Sequence, residues 1–148
     1  MNQSHKLTIK LIDPTMPAPQ YHTPGSVAFD VYSRIDMDIE PWKQTIIPLN
    51  LVVAVPAGYF LMLCARSSTA KKFGLMLANG VGVIDQDYRG DNDEIGLSVI
   101  NFTGSTIHIQ KGDRVGQAIL VSIIKADEFI TVSKMDSSDR GGWGSTGQ

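Results

Sequence analysis

Residues Asn79–Gly90 read NGVGVIDQDYRG, and this stretch determines how the rest of the chain is interpreted. Val81–Ile84 is a short apolar β-type run, and the segment after it is polar and rich in turn-forming residues. The pattern predicts a strand that ends in a tight turn and leaves Asp85 at the rim of a sheet. A carboxylate in that position can hold a water in line with an electrophile as a general base. Taken alone, the local sequence favours the simpler alternative, a turn aspartate that caps backbone N–H groups.

The sequence on both sides of this stretch predicts many short strands and one helix. The helix is predicted at Ser67–Phe73, with Ser67 or Ser68 as its N-cap and Gly74 just beyond its end. Repeated short strands with turns between them are typical of an all-β jelly roll or distorted barrel. The further strands are predicted at Leu7–Leu11, Val27–Val31, Thr45–Ile47, Leu51–Val55, Tyr59–Ala65, Ile95–Phe102, Ile107–Ile109 and Val115–Ile124.

The composition limits the class of protein. A chain of 148 residues with 43% hydrophobic residues can form one domain with a packed core. Its formal net charge of -2 argues against a nucleic-acid partner, which would favour a basic surface. No segment reaches the roughly 18 consecutive apolar residues of a membrane span. Because the N-terminal residues lack the apolar centre of a signal peptide and Cys64 is the only cysteine, we expect a soluble cytoplasmic protein without a membrane partner.

The C-terminal part of the chain suggests an oligomer. The runs Ile119–Val121 and Ile123–Ile124 are apolar on both faces of the predicted strand, so either the strand is central to a sandwich or its second face meets another subunit, and the sequence favours the second alternative. From about Lys134 the sequence has little apolar content. We therefore divide the chain into a β-domain at 1–133 and a flexible C-terminal arm at 134–148.

Two groups of polar residues could bind phosphate. Arg66, Ser67 and Ser68 open the predicted helix, where hydroxyls, a guanidinium and free N–H groups suit an anion. The glycine-rich segment Arg140–Gly147, RGGWGSTG, could form a nest of backbone donors with an arginine and an aromatic side chain beside it. The simpler alternatives are an ordinary helix cap and a disordered tail.

Two further places could contribute single side chains to a site. Gln117 lies three residues after Arg114 at the start of a strand, and its amide could donate to a phosphoryl oxygen. Asp30 lies between two apolar residues and could hold a water of a bound Mg²⁺ or pair with an arginine. The histidines look isolated, and no cluster of His, Cys and Asp residues predicts a complete metal site.

The order of these segments carries more information than any one of them. SVAFDVYS, ARSS, NGVGVIDQDYRG, RVGQAI and RGGWGSTG resemble, in sequence order, all five motifs of the dUTP diphosphatase family, over about Lys6 to Gly147. The resemblance implies a jelly roll with one short helix, in a homotrimer whose C-terminal arms are exchanged and whose active sites are shared between subunits. It also implies Mg²⁺-dependent hydrolysis of dUTP to dUMP and pyrophosphate, which limits uracil in DNA and supplies dUMP for thymidylate synthesis.

The same resemblance implies a role for each candidate residue. Asp85 would orient and deprotonate the water that attacks the α-phosphorus. Tyr88 would pack under the deoxyribose, where a ribose 2′-hydroxyl would clash. Asp30 would lie in the outer shell of Mg²⁺, and Arg114 would order Asp30. The remaining contacts would be to uracil, from Asn79, the backbone of Val83 and Ile84, and Trp143, and to the phosphates, from Arg66, Ser67, Ser68, Gln117, Arg140 and the loop Gly144, Ser145 and Thr146.

The sequence departs from the family pattern at several positions. The family commonly has Gly where Ala28 stands, Leu where Val31 stands and Phe where Trp143 stands, and RGDNDEI is longer than the usual RGEI. A glycine replaced by Ala28 would be costly if the backbone there needed a positive φ. Two alternatives remain: a dCTP deaminase of the same fold, and a homologue that serves as a regulatory or protein-binding module.

Overall fold

The fold was analysed in a computed structural model, which describes residues 6–142. The described chain is almost entirely β, with one short helix between the sixth and seventh strands. The elements are β1 (Thr8–Leu11), β2 (Phe29–Tyr32), β3 (Met37–Ile39), β4 (Gln44–Pro48), β5 (Leu51–Ala54), β6 (Tyr59–Cys64), α1 (Thr69–Phe73), β7 (Leu75–Leu77), β8 (Gly82–Ile84), β9 (Gly96–Asn101), β10 (Ile107–Ile109) and β11 (Arg114–Ser122).

The strands form small antiparallel sheets around a single core. The largest sheet has the order β2-β11-β6-β8, and a second has the order β4-β9-β7. Strand β1 pairs with β5, and β3 pairs with β10. Alternation decides which side chains enter the core: along β9, Leu97 and Val99 are buried while Ser98 and Ile100 are only partly buried. This layered all-β arrangement confirms the predicted jelly roll.

Each strand predicted from an apolar run is present, with ends that differ by up to two residues. Two strands were missed: β3 (MDI), although its alternation is visible in the sequence, and β7 (LML), which is apolar throughout and shows no alternation. The helix is shorter than predicted and begins at Thr69, with Ser68 as an N-cap whose side chain makes no capping hydrogen bond. Gly74 ends the helix as predicted, in the left-handed conformation at φ 64°.

Beyond β11 the described residues form no helix or strand, and from Ile124 to Gly142 they are all exposed. The side chains of Ile119–Val121 are partly buried, whereas Ile124 and Phe129 are almost fully exposed. Exposed apolar side chains in a segment of this length are consistent with a contact to another chain. The division of the chain at residue 134 stays a prediction. Within residues 6–142, no helix is long and apolar enough to cross a membrane.

Candidate active site

Asp30 lies at the centre of the first cluster of candidate residues. Strand β11 brings the cluster together, because Gln117 pairs with Asp30 of β2 on one side and with Cys64 of β6 on the other. Asp30 is only 6% exposed, so its charge needs partners. Arg66, which follows β6, supplies the shortest contact, from its Nε to Asp30 Oδ1 at 2.7 Å.

The second carboxylate oxygen of Asp30 has two more partners. His22 Nε2 lies 3.0 Å from Asp30 Oδ2, and Arg114 Nη1 donates to the same oxygen at 3.4 Å. The contact with Arg114 agrees with the prediction that this arginine orders Asp30. The interpretation of His22 as isolated was wrong, because the chain between His22 and Asp30 folds back and gives no pattern that sequence reasoning could use.

The turn between β6 and α1 holds Arg66 in place. The Arg66 N–H donates to Thr69 Oγ1 at 2.9 Å, and the Thr69 N–H donates back to the Arg66 carbonyl at 3.0 Å. Arg66 Nη1 also donates to Ser68 Oγ at 3.4 Å, while Ser67 is exposed. Thr69 is fully buried and was not predicted as a site residue. Its reciprocal bonds fix the backbone that presents Arg66, Ser67 and Ser68.

Gln117 faces the same turn. Its Nε2 donates to the carbonyl of Ala65 at 2.9 Å, which places the amide beside Arg66. The neighbouring Cys64 is partly buried, and burial raises the pKa of its thiol. The described chain therefore gathers Asp30, Arg66, Ser68, Arg114 and Gln117 into one place, which we call the phosphate cluster.

The second group of candidates lies on β8 and the segments on either side of it, Asn79–Glu94, which we call the Asp85 segment. Strand β8 pairs with β6 through Leu61 and Ile84, and Gly82 lies opposite Leu63. Asp85 follows directly and is exposed, in a cleft of about 320 Å³ lined by Tyr59, Phe60, Asp85, Gln86, Asp87, Ile123 and Lys125. Gln86 Nε2 donates to the Tyr59 carbonyl at 2.9 Å, which ties the turn to the start of β6. Gln86 was not predicted as a site residue.

The other predicted nucleoside contacts lie on the same segment, on both sides of Asp85. Asn79 is exposed before β8, and its carbonyl accepts a bond from the Val81 N–H at 2.8 Å. Val83 is 58% exposed and Ile84 is partly buried. Tyr88 is 41% exposed, and its hydroxyl donates to the carbonyl of Glu94 at 3.2 Å. Asn79 and Tyr88, whose side chains would contact the base and the sugar, are thus accessible.

The two groups lie at opposite ends of β6. Asp85 follows Ile84, which pairs with Leu61 near the start of the strand, whereas Arg66 follows its last residue, Cys64. At about 3.3 Å per residue, the separation along the sheet is about 15 to 20 Å. A phosphate contact requires about 3 Å. Asp85 and Arg66 of one chain therefore lie at separate places along the sheet.

The described residues contain no group of three or more His, Cys, Asp and Glu side chains that could hold a metal ion. Asp30 fits Mg²⁺ only in a limited way, because both of its oxygens already contact cationic or imidazole groups. Mg²⁺ usually keeps several waters and binds through one or two carboxylates plus substrate phosphates. Asp30 could therefore contribute through a water, as predicted, but could not hold the ion alone.

Two other expectations concern the departures and the arm. Among the described non-glycine residues only Trp42 and Asn50 have a positive φ, so Ala28 carries none of the strain that a replaced glycine would cause. Arg140 is exposed. Trp143, Gly144, Ser145 and Thr146 lie outside the described residues, and their roles stay predictions.

Comparison with known proteins places this geometry in a family. The dUTPase family profile matches residues 15–147 of the chain. A deoxyuridine 5'-triphosphate nucleotidohydrolase of Desulfitobacterium hafniense is 42% identical over 134 residues, covering 87% of this chain and 86% of that protein. The corresponding protein of Zymomonas mobilis is 37% identical and covers 96% and 97%.

Solved structures show the same fold. A dUTPase from Streptococcus mutans superposes with a TM-score of 0.74 at 28% identity, covering 81% of this chain and 98% of that chain. The dUTPase of Staphylococcus bacteriophage 80alpha, solved with dUPNHPP, has a TM-score of 0.84 at 22% identity and covers 97% and 99%. A related structure from phage phi11 of S. aureus describes the coordination of a structural Mg(II) ion.

Proposed function

The chain belongs to the dUTPase family and hydrolyses dUTP to dUMP and pyrophosphate, and we propose that Asp85 activates the attacking water. The observation that carries the proposal is the position of Asp85, exposed in a cleft at the end of β8. Gln86 fixes the turn through its bond to the Tyr59 carbonyl. A carboxylate held on a rigid turn can orient a water and accept its proton as the oxygen attacks phosphorus.

We assign the phosphate cluster to the triphosphate. Asp30 contributes one negative charge, while Arg66 and Arg114 contribute two positive charges, so the cluster keeps an excess positive charge. A guanidinium held in place by a carboxylate presents its remaining N–H groups in a fixed direction, which suits phosphate oxygens. Ser67, Ser68 and Gln117 would add neutral donors around it. These groups would stabilise the negative charge that develops on the phosphates.

Mg²⁺ would be held mainly by the phosphates of the substrate, with Asp30 binding one of its waters. When bound, the ion would neutralise phosphate charge and align the chain of phosphates. The buried carboxylate of Asp30 has room for this role because a carboxylate has about four lone-pair sites, and the described contacts use three. The proposal therefore concerns an outer-shell contact only.

The Asp85 segment would also select the nucleoside. Asn79 and the backbone of Val83 and Ile84 would read the uracil edge, and Tyr88 would lie under the deoxyribose. From the C-terminal arm, Arg140 and the loop of Gly144, Ser145 and Thr146 would close over the γ-phosphate, and Trp143 would stack on uracil. Closure of such a segment would exclude bulk water from the reacting atoms.

We further infer that the active site is assembled from several chains of a homotrimer. The separation of about 15 to 20 Å between Asp85 and Arg66 within one chain supports this inference, because both must reach one triphosphate. Sharing sites across subunits in a closed ring is a geometry that cyclic oligomers allow. The exposed apolar residues after β11, among them Ile124 and Phe129, support contacts between chains.

The proposal is tested by pyrophosphate release from dUTP, dCTP, UTP and dTTP in parallel, with Mg²⁺ present. We expect turnover of dUTP far above that of the others. Asp85→Asn should retain dUTP binding and lose about 10²- to 10⁴-fold in kcat, the typical contribution of a positioned general base. Asp38→Asn, at an exposed carboxylate on β3, is the matched control and should leave kcat unchanged. Turnover by Asp85→Asn within a few-fold of the natural protein would remove Asp85 from its role, and ammonia from dCTP would support a deaminase.

A further inference from the structure

We propose that the ion pair between Arg34 and Glu94 positions Tyr88 and so sets part of the selectivity for deoxyribose over ribose. The inference rests on the proposed function, in which Tyr88 packs under the sugar. Neither Arg34 nor Glu94 is in the phosphate cluster or lines the Asp85 cleft. Both would act through the tyrosine, as positioning residues.

The contact that links the ion pair to Tyr88 is a hydrogen bond. The Tyr88 hydroxyl donates to the backbone carbonyl of Glu94 at 3.2 Å. Because the ring is 41% exposed, packing alone does not surround it. The far end of the ring is thus attached to Glu94, and the position of the Glu94 backbone determines where the ring lies.

Three donors fix Glu94. Arg34 Nε donates to Oε1 at 2.7 Å and Arg34 Nη2 donates to Oε2 at 2.9 Å, which is the bidentate geometry of a strong guanidinium–carboxylate pair. The Asn50 N–H adds a third bond to Oε1 at 2.9 Å. The Arg34 and Glu94 side chains are 30% and 18% exposed, so solvent competes little with this contact. The hydrogen bonds to Glu94 also raise the pKa of the Arg34 guanidinium.

The framework behind these donors is itself rigid. The Arg34 N–H donates to the Pro48 carbonyl at 2.9 Å. Asn50 is buried in the left-handed region at φ 66°, and its side-chain amide exchanges two hydrogen bonds with the backbone of Asp13. Asparagine tolerates that conformation better than most residues. Glu94 is therefore tied to two short connections, β2–β3 at Arg34 and β4–β5 at Asn50, that are themselves hydrogen-bonded to neighbouring backbone.

The loop between Tyr88 and Glu94 needs such an anchor. Residues Arg89–Asp93 form turns and are mostly exposed, in the segment that is longer than the usual family form. Their contacts are local or on the surface: the Gly90 N–H donates to Asp93 Oδ2 at 2.6 Å, and Lys10 pairs with Asp91, whose side chain is 89% exposed. An exposed pair of this kind contributes little to stability. The loop is thus held in place mainly at Glu94, whose carboxylate is bonded by Arg34 and Asn50.

The inference is tested by the ratio of kcat/KM for dUTP to kcat/KM for UTP. Arg34→Met and Glu94→Gln should each lower this ratio by about tenfold, because small displacements of a positioning group are costly to discrimination. Tyr88→Phe, which removes only the hydroxyl, should lower the ratio to a similar extent. Asp38→Asn is the matched control, an ion-pair carboxylate on β3, and should leave the ratio unchanged.

A double variant separates positioning from a general loss of stability. If Arg34 acts through the Tyr88 hydroxyl, Arg34→Met combined with Tyr88→Phe should show the same selectivity as Tyr88→Phe alone. Additive losses would overturn the inference, as would an unchanged ratio in both Arg34→Met and Glu94→Gln. Glu94→Gln keeps the shape of the side chain, so it gives the result if Arg34→Met does not fold.

Tyr88→Ala distinguishes failure of this inference from failure of the proposed function. A loss of selectivity in Tyr88→Ala, together with unchanged selectivity in the ion-pair variants, would overturn only the role of Arg34 and Glu94. Unchanged selectivity in Tyr88→Ala would remove the tyrosine from sugar recognition and with it the premise of this inference, while the role of Asp85 would still be decided by Asp85→Asn.

Discussion

Two inactive forms of the protein should restore each other when they assemble together. An Asp85→Asn chain has lost the base but keeps the phosphate cluster, and an Arg66→Gln chain has the reverse defect. Asp85 and Arg66 of one chain lie about 15 to 20 Å apart along β6, and in the proposed homotrimer a functional site combines them from different chains. A mixed oligomer can therefore contain sites in which both residues are natural.

The geometry fixes how much activity returns. In a ring of three identical chains with random assembly from equal amounts, a site has a chance of one half of receiving a natural Asp85 and one half of receiving a natural Arg66 from the neighbour. About one quarter of the sites should therefore be intact, giving about 25% of the natural activity. As the fraction f of one variant changes, activity should follow f(1−f) and peak at equal amounts.

The assay is pyrophosphate release from dUTP after the two variants are unfolded and refolded together at several ratios. Chains with different purification tags allow mixing to be verified before activity is measured. The matched control combines Arg66→Gln with Gln117→Ala, because both residues belong to the same phosphate cluster. That pair should regain nothing, since no chain in the mixture has an intact cluster.

Activity that stays at the level of the separate variants, with mixing verified, would refute the reasoning and place the whole site in one chain. Equal recovery in the control pair would refute it as well, because it would show exchange of parts within the cluster. If Arg66→Gln does not fold, a chain shortened before Arg140 takes its place. Its arm would also come from another chain, so the expected recovery is again about one quarter.

Three further predictions concern the fold. Trp42→Gly should raise the free energy of unfolding by about 1 kcal/mol and Tm by about 2 to 4 °C in thermal denaturation, because Trp42 is 68% exposed and has a φ of 59°. A lower Tm would mean that the indole makes a stabilising contact. Gly82→Ala should lower the free energy of unfolding by about 1 to 3 kcal/mol, because the new Cβ on β8 would lie 2.9 Å from Leu63 Cβ on β6. It should also lower kcat, because β8 leads directly into Asp85. Unchanged kcat would show that β8 does not position the base. Cys64 should react with iodoacetamide at pH 8 much more slowly in the folded than in the unfolded protein, because burial raises its pKa and disfavours the thiolate; equal rates would contradict this.

The sequence predicted the features that depend on neighbouring residues. Apolar runs located the longer strands, and the chain from Val81 to Gly90 placed Asp85 at the end of a strand. Strand β7 was missed because LML is apolar throughout and shows no period of two, whereas β3 was missed although Met37, Asp38 and Ile39 alternate. Gly74 was correctly predicted as the end of the helix, because a glycine that follows about two turns of helix is a signal within neighbouring residues.

The missed site residues depend on pairings between distant parts of the chain. The bond from Arg34 to Glu94 joins residues that are 60 positions apart, and the bond from Gln86 to Tyr59 spans 27. Both follow from the register of the sheets, which a single sequence does not give. The same holds for Asp30, whose burial between Arg66, Arg114 and His22 becomes visible only when β2, β6 and β11 are aligned.

In the proposed function, the Asp85 segment couples sugar discrimination to chemistry, because it carries both the proposed base and Tyr88. Asp85 and Tyr88 are three residues apart, and the turn between them is held at Gln86 by β6 and at Tyr88 by the Glu94 carbonyl. If Asp85 and Tyr88 have the proposed roles, a sugar that does not fit over the Tyr88 ring should displace the α-phosphorus from Asp85, because one short turn joins the two residues. Discrimination against ribose should then reduce kcat as well as weaken binding, because a misplaced substrate loses the aligned attack. Under this proposal, Arg34 contributes to kcat through the position of Tyr88, although it belongs neither to the phosphate cluster nor to the Asp85 cleft.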